Sequence, residues 1–210
     1  MLYTLTDPKQ NKMDQQPSSS HAVLVHGYIL SGTGSNIYSV NIGKTWKKQG
    51  HAVTIVCQDR QAGSYPFVDE YVGPGDDLPA VPPAPGTIRV VVPDIDGLLP
   101  VYVYDDYEGY TVKTIPDCTE VELENHIEKT AKVLRQVLAQ GAVRVLSNHC
   151  LLSPVITKRA CEGLSTPYDV KVHGSAITFV IKPHPRLKKY ALEGLQHAEK
   201  IIAGTSYIVN

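Results

Sequence analysis

Short runs of apolar, β-branched residues recur along the chain, each followed by a polar, glycine-bearing turn. The clearest are VLV at 23–25, HAVTIVC at 51–57, IRVVV at 88–92, AVRVLS at 142–147, YDVKV at 168–172 and KIIA at 200–203. Runs this short and this continuous predict buried strands rather than helices. Between them lie stretches with helical spacing, at 37–49, 119–140, 151–162 and 183–197. The second is the best marked, because Thr119 and Glu122 have capping-box spacing and Leu123, Ile127, Ala131, Leu134 and Leu138 share one face. Gly50 and Gly141 sit where the first two helices should stop. Residues 98–104 and 110–115 read as short strands or extended loop. Residues 206–210 read as the opening of a further helix. Residues 58–86, with four glycines and six prolines, predict a long irregular connection. Strands alternating with helices place the chain in the α/β class, as a Rossmann-like parallel sheet with helices on both faces.

Composition narrows the classes without naming one. The 210 residues are 42% hydrophobic and 20% charged with a formal net charge of −1, which disfavours a general nucleic-acid binder. No apolar run approaches the roughly 20 residues of a membrane helix. Residues 1–20 are polar and lack the apolar core of a signal peptide, so they read as a flexible extension ahead of one domain at 21–210. Four cysteines without a C-x-x-C pair read as reduced thiols, and the expected location is cytoplasmic.

In a parallel sheet, ligands bind beyond the carboxyl ends of the strands. Three segments fall there: the SGTGSN loop at 31–36, Asn148-His149, and His173-Gly174-Ser175. The loop can offer backbone N–H groups to a phosphate, with Ser35 or Asn36 as the capping residue of the helix that follows. It is neither a complete G-x-G-x-x-G nor a P-loop, because Ile37 stands where the third glycine would be and no G-K-[ST] occurs. Asp59, at the end of the second strand, keeps open a ribose contact of the dinucleotide-binding kind. His173 and His149 can donate to sugar hydroxyls or phosphates, and His26 can orient the loop. No Ser-His-Asp triad or paired metal-ligand histidines can be assembled. Asp94 and Asp96 read as a solvated loop before a metal site. Lys182, His184, Arg186, Lys188 and Lys189 form a basic patch, read as a solvated face or as a contact for phosphate or anionic membrane.

Taken in order, HAVLVHGYILSGTGSN, GHAVTIV, VHGSA at 172–176 and AEKIIAGTS at 198–206 resemble the N-terminal half of retaining GT-B glycosyltransferases. The nearest group is glycosyltransferase family 4-like, with sucrose synthase-like and mannosyltransferase members. The resemblance covers nearly all of residues 21–210. It implies the acceptor-side half of an enzyme that moves a sugar from a nucleotide-sugar co-substrate to an acceptor hydroxyl, with no other cofactor and no metal. It further implies that His173 is catalytic beside the transferred sugar, and that Gly32, Gly34, Ser35, His149, Gly174 and Ser175 contact substrate or diphosphate. The family's donor-binding domain, with its E-x7-E motif, has no counterpart in these 210 residues. The isolated chain is therefore expected to be nearly inactive without a separate donor-binding domain or subunit. The acceptor is expected to be a sugar, a lipid-linked sugar or a small molecule, which leaves room for peripheral contact with the inner face of a membrane. Two other readings stay open: a non-catalytic carbohydrate- or partner-binding half-domain, and a fragment like a sugar-nucleotide epimerase, which would need a carboxylate near the loop.

Overall fold

The computed structural model describes residues 20–204 except Thr33 and Ser175. The expected extension at 1–20, apart from Ser20, and the helix opening at 206–210 lie outside the described residues.

Seven strands form one parallel sheet. They are β1 (His21–Val25), β2 (Ala52–Val56), β3 (Glu70–Val72), β4 (Ile88–Val91), β7 (Ala142–Asn148), β8 (Tyr168–Val172) and β9 (Lys200–Ala203), in the order β3-β4-β2-β1-β7-β8-β9. Without the three-residue β3 this is the 3-2-1-4-5-6 order of doubly wound nucleotide-binding folds. The order reverses between β1 and β7, which pair directly, with Val25 beside Ser147.

Alternation along each strand divides the apolar residues between two cores. Leu24, Val53, Ile55, Ile88, Val90 and Leu146 pack with Val40 and Trp46 of helix α1 (Ser35–Lys48) on one face. Val23, Val25, Val56, Val91, Val145, Val170 and Val172 pack on the other. That second face carries α2 (Glu120–Leu138), α3 (Leu152–Cys161) and α4 (Lys188–Leu195). Thr119 caps α2 with the full reciprocal box, and Leu123, Ile127, Leu134 and Leu138 are all buried. The four cysteines are unpaired thiols.

Two sequence expectations need correction, and one open alternative is decided. Residues 58–86 are not wholly irregular, because Glu70–Val72 adds to the sheet edge beside β4, from Glu70 opposite Arg89 to Val72 opposite Val91. The helix expected at 183–197 is shorter, α4 proper, preceded by a 3-10 turn at Pro185–Leu187 and a π-helical segment at Ala176–Ile181. The two short segments near residue 100 are real strands, β5 (Leu98–Val101) and β6 (Thr111–Thr114), and they pair parallel in a small sheet of their own. Tyr28, Ile95, Leu99 and Val101 bury a local core beneath that small sheet. It thereby holds the tyrosine-bearing segment 102–110 over the end of β1.

Candidate functional site

The reversal point between β1 and β7 is occupied by a closed polar network. His26 follows β1, Asn148 ends β7 and His173 follows β8, so the three meet because their strands are adjacent. The His26 ring donates from Nε2 to the Ile29 carbonyl at 3.1 Å and to Asn36 Oδ1 at 3.0 Å. A carbonyl can only accept, so the proton sits on Nε2 and Nδ1 is the acceptor. Asn148 supplies the matching donor, its Nδ2 reaching His26 Nδ1 at 2.9 Å and Ser39 Oγ at 2.7 Å. Its Oδ1 accepts from His173 Nε2 at 2.7 Å. Asn36 Nδ2 in turn donates to the Ser31 carbonyl. An unbroken chain of oriented hydrogen bonds thus runs from His173 through Asn148 and His26 to the SGTGSN loop. Burial first, and then nearby His173, hold the His26 pKa down at about 4 against the opposing hydrogen bonds to Asn36 and Ile29, so the ring is neutral near pH 7. His173 is also shifted down, chiefly by burial and then by the adjacent Lys171 ammonium.

The loop opens onto a cleft of about 500 Å³. Its floor is Gly32, Gly34, Ser35 and Asn36; its walls are Tyr28, Tyr102, Tyr104, Asp105, Tyr107 and His149. Gly32 and Gly34 have φ of 96° and 50°, which glycine adopts at little cost and which brings the backbone to the cleft. Gly34 precedes the first turn of α1, and no side chain caps it. That corrects the expected cap: Ser35 is already helical, and the Asn36 side chain is spent on Ser31 and His26. No acidic side chain lies in that turn either. The free N–H groups and positive dipole end of a 14-residue helix therefore face the cleft.

His149 is the second unusual feature. It is 4% exposed, and among the described residues neither ring nitrogen has a hydrogen-bond partner. Its φ of 70° is uncommon for a residue with a side chain. The ring stacks near His26, with centroids 5.9 Å apart, and packs against Tyr102 at 4.9 Å and His173 at 5.1 Å. Burial, reinforced by His26 and His173, pushes its pKa well down, so it presents one donor and one acceptor. A strained backbone and an unpaired buried ring in one residue are what functional sites hold in reserve.

The sequence candidates separate accordingly. Gly32, Gly34, Ser35 and His149 line the cleft. His173 does not line it but contacts it through Asn148 and His149. Gly174 follows His173 without touching the cleft lining, and Ser175 lies outside the described residues. The hub, Asn148, is a residue whose role the sequence reading missed. Its signal was a polar amide at the carboxyl end of a strand, next to His149.

Asp59 does not face a ribose. Its carboxylate accepts from Leu30 N–H at 2.8 Å, Tyr65 O–H at 3.0 Å and Gln61 N–H at 3.1 Å, and so it pins the base of the glycine loop. Asp96 pairs with Lys129 and accepts from Asn125, while Asp94 caps the Asp96 N–H. Among the described residues no three His, Cys, Asp or Glu side chains converge as a metal-ligating group. The basic patch is thinner than its sequence. Arg186 donates to the Pro116 and Cys118 carbonyls and Lys189 pairs with Glu120, which leaves Lys182 and Lys188 outward. No described helix is long and apolar enough to cross a membrane.

A larger groove of about 640 Å³ lies beside β3 and β4, between the loop at 73–80 and α2. It mixes Asp76, Asp77 and Asp94 with Lys129 and Lys132, and it lies away from the point where the strand order reverses. No family model and no curated protein matches the chain. The site is therefore read from its geometry.

Proposed function

We propose that this domain is the acceptor-side half of a retaining glycosyltransferase, working on a nucleotide-sugar and an acceptor hydroxyl. The observation that carries the reading is the shared cleft. One cavity joins an uncapped helix N-terminus, an unpaired buried histidine and a wall of tyrosines.

Each part has a task in such a transfer. The N–H groups at Gly34 and Ser35 stabilise charge on a departing diphosphate, since they are fixed before the reaction and need no reorganisation. Tyr104 and Tyr107 offer faces on which an acceptor sugar ring can stack, and Asp105 lines the same cleft. His173, held by Asn148 and packed against the cleft residue His149, is assigned the position beside the transferred sugar. A leaving phosphate oxygen can take the acceptor's proton, so the domain need not supply a base. A donor-binding domain, on this or another chain, faces the cleft and holds the nucleotide.

Asp105 also favours a second reading. The sequence reading found no carboxylate at the site, yet Asp105 lines the same cleft as Gly34. A sugar-nucleotide epimerase-like activity would use that carboxylate as its base. Calorimetry separates the two. Methyl glucoside, methyl mannoside and methyl galactoside are titrated without nucleotide. The acceptor-side reading expects saturable binding of at least one, lost in Tyr104→Ala. Binding of a nucleotide-sugar alone, lost in Asp105→Asn, together with no glycoside binding, would replace it.

A further inference from the structure

Lys171 stands on the same face of β8 as Asp169 and His173, two residues from each, while Val170 and Val172 point into the opposite core. A lysine is seldom fully buried without a carboxylate, yet Lys171 is only 8% exposed. The two acidic side chains nearest on that face are already taken. The Asp169 carboxylate accepts from Arg144 Nε at 2.9 Å and Nη2 at 3.1 Å, and the Glu199 carboxylate accepts from Nη2 at 2.7 Å. Among the described residues Lys171 forms no ion pair. Its Nζ instead lies 5.6 Å from the ring centre of Tyr38, in the first turns of α1, and the Tyr38 ring is 5.8 Å from that of His173. On the main chain, Lys171 sits directly opposite Asn148, the hub of the polar network. A methyl group on Gly204 would come within 3.3 Å of Nζ, so the ammonium lies at the carboxyl ends of β8 and β9.

We propose that Lys171 is an anion-binding residue, its ammonium completing, beside His173 and the first turns of α1, a site for a phosphate or diphosphate group. The proposal rests on the reading of the α1 N-terminus as an anion site. It adds a positive charge on the His173 side, beside Tyr38 of α1. The Lys171 stem is buried, and its ammonium has no carboxylate partner among the described residues. An arriving phosphate oxygen supplies that counter-charge, so removing the ammonium should weaken anion binding.

The test is calorimetric titration of the whole chain with inorganic pyrophosphate at low salt, on wild type, Lys171→Met and Lys200→Met. Lys171→Met is expected to bind pyrophosphate about tenfold more weakly. Lys200→Met removes an exposed lysine one strand away and is expected to bind as wild type does. In the unsubstituted protein, the side-chain NMR signals of Lys171 are expected to shift on saturation with pyrophosphate, a measurement independent of whether the variant folds. Unchanged affinity in Lys171→Met, or unmoved Lys171 signals while wild type binds, overturns the proposal and leaves the glycine-loop site standing. Failure of wild type to bind pyrophosphate at all overturns both.

Discussion

Replacing Asn148 with alanine removes the side chain that hydrogen-bonds to both His26 and His173. Asn148 is fully buried, and its amide makes bonds of 2.9 Å to His26 Nδ1, 2.7 Å to Ser39 Oγ and 2.7 Å from His173 Nε2. Half-buried His173 can turn to water. His26 Nδ1 is sealed and keeps only Ser39 Oγ, at 3.0 Å, whose single proton is also given to the Ser35 carbonyl at 2.8 Å, so one of two acceptors goes short. One buried acceptor left short costs about 1–3 kcal/mol, and the other lost bonds about 1 kcal/mol in total, so about 3 kcal/mol is expected. For a chain of this size each kcal/mol lowers the melting temperature by about 2–4 °C, giving a drop of about 6–12 °C. Thermal unfolding followed by circular dichroism near pH 7.5 reads this directly. Asn148→Asp supplies an internal control of mechanism. It can still accept from His173 but has no proton for His26 Nδ1, so the His26 pKa should rise from about 4, visible in its ring NMR signals. A melting temperature within about 1 °C of wild type for Asn148→Ala would refute the hub, whatever the ligand turns out to be.

Other outcomes follow from the same structure. His26 and His126 are buried and neutral, each with its pKa lowered from 6.5 to about 4 by burial. Their stabilising contribution is complete above pH 6.5 and is lost as pH falls toward 4. Urea unfolding should therefore weaken over that window by up to about 1.4 kcal/mol per pH unit for each ring, and His126→Leu should flatten the profile by one ring's share; a flat wild-type profile contradicts this. Gly194→Ala places a methyl 2.5 Å from the Val155 nitrogen and 2.6 Å from Pro154, where α4 meets α3, and backbone cannot yield as a side chain can. A loss of about 3 kcal/mol is expected in denaturant unfolding, and a neutral result would mean the helices pack differently. Asp59→Ala removes the oxygen that accepts from Leu30 N–H, so it should free that N–H and loosen the glycine loop at a cost of about 1–3 kcal/mol. Faster amide exchange at Leu30 with β1 unchanged is the expected signature; uniform protection would contradict it.

Much of this architecture could be read from residue patterns because the relevant signals are local. β8 and β9 begin and end where their apolar runs do, and α2 begins where Thr119 and Glu122 fall at capping-box spacing. The location of the site also followed from chemistry placed after strands. What could not be read depends on partners far away in sequence. Glu70–Val72 has three residues and only Val72 buried, so it is a strand only because β4 lies beside it. Asp59 looks the same in sequence whether it faces a ligand or the Leu30 N–H. His149 drew attention as a histidine, but its left-handed backbone and unpaired nitrogens exist only in three dimensions. Lys171 left a trace, since Asp169 and Lys171 alternate with valines in YDVKV and mark one face of β8 as polar.

The central claim is that the cleft at the strand-order reversal binds a phosphate-bearing ligand. Backbone amide NMR during titration with inorganic pyrophosphate tests it residue by residue. The account predicts saturable shifts at Gly32, Gly34, Ser35 and Asn36, with the His149 ring moving in step. Shifts confined to the groove of Asp76, Asp77, Lys129 and Lys132, or no saturable shift anywhere, would contradict it.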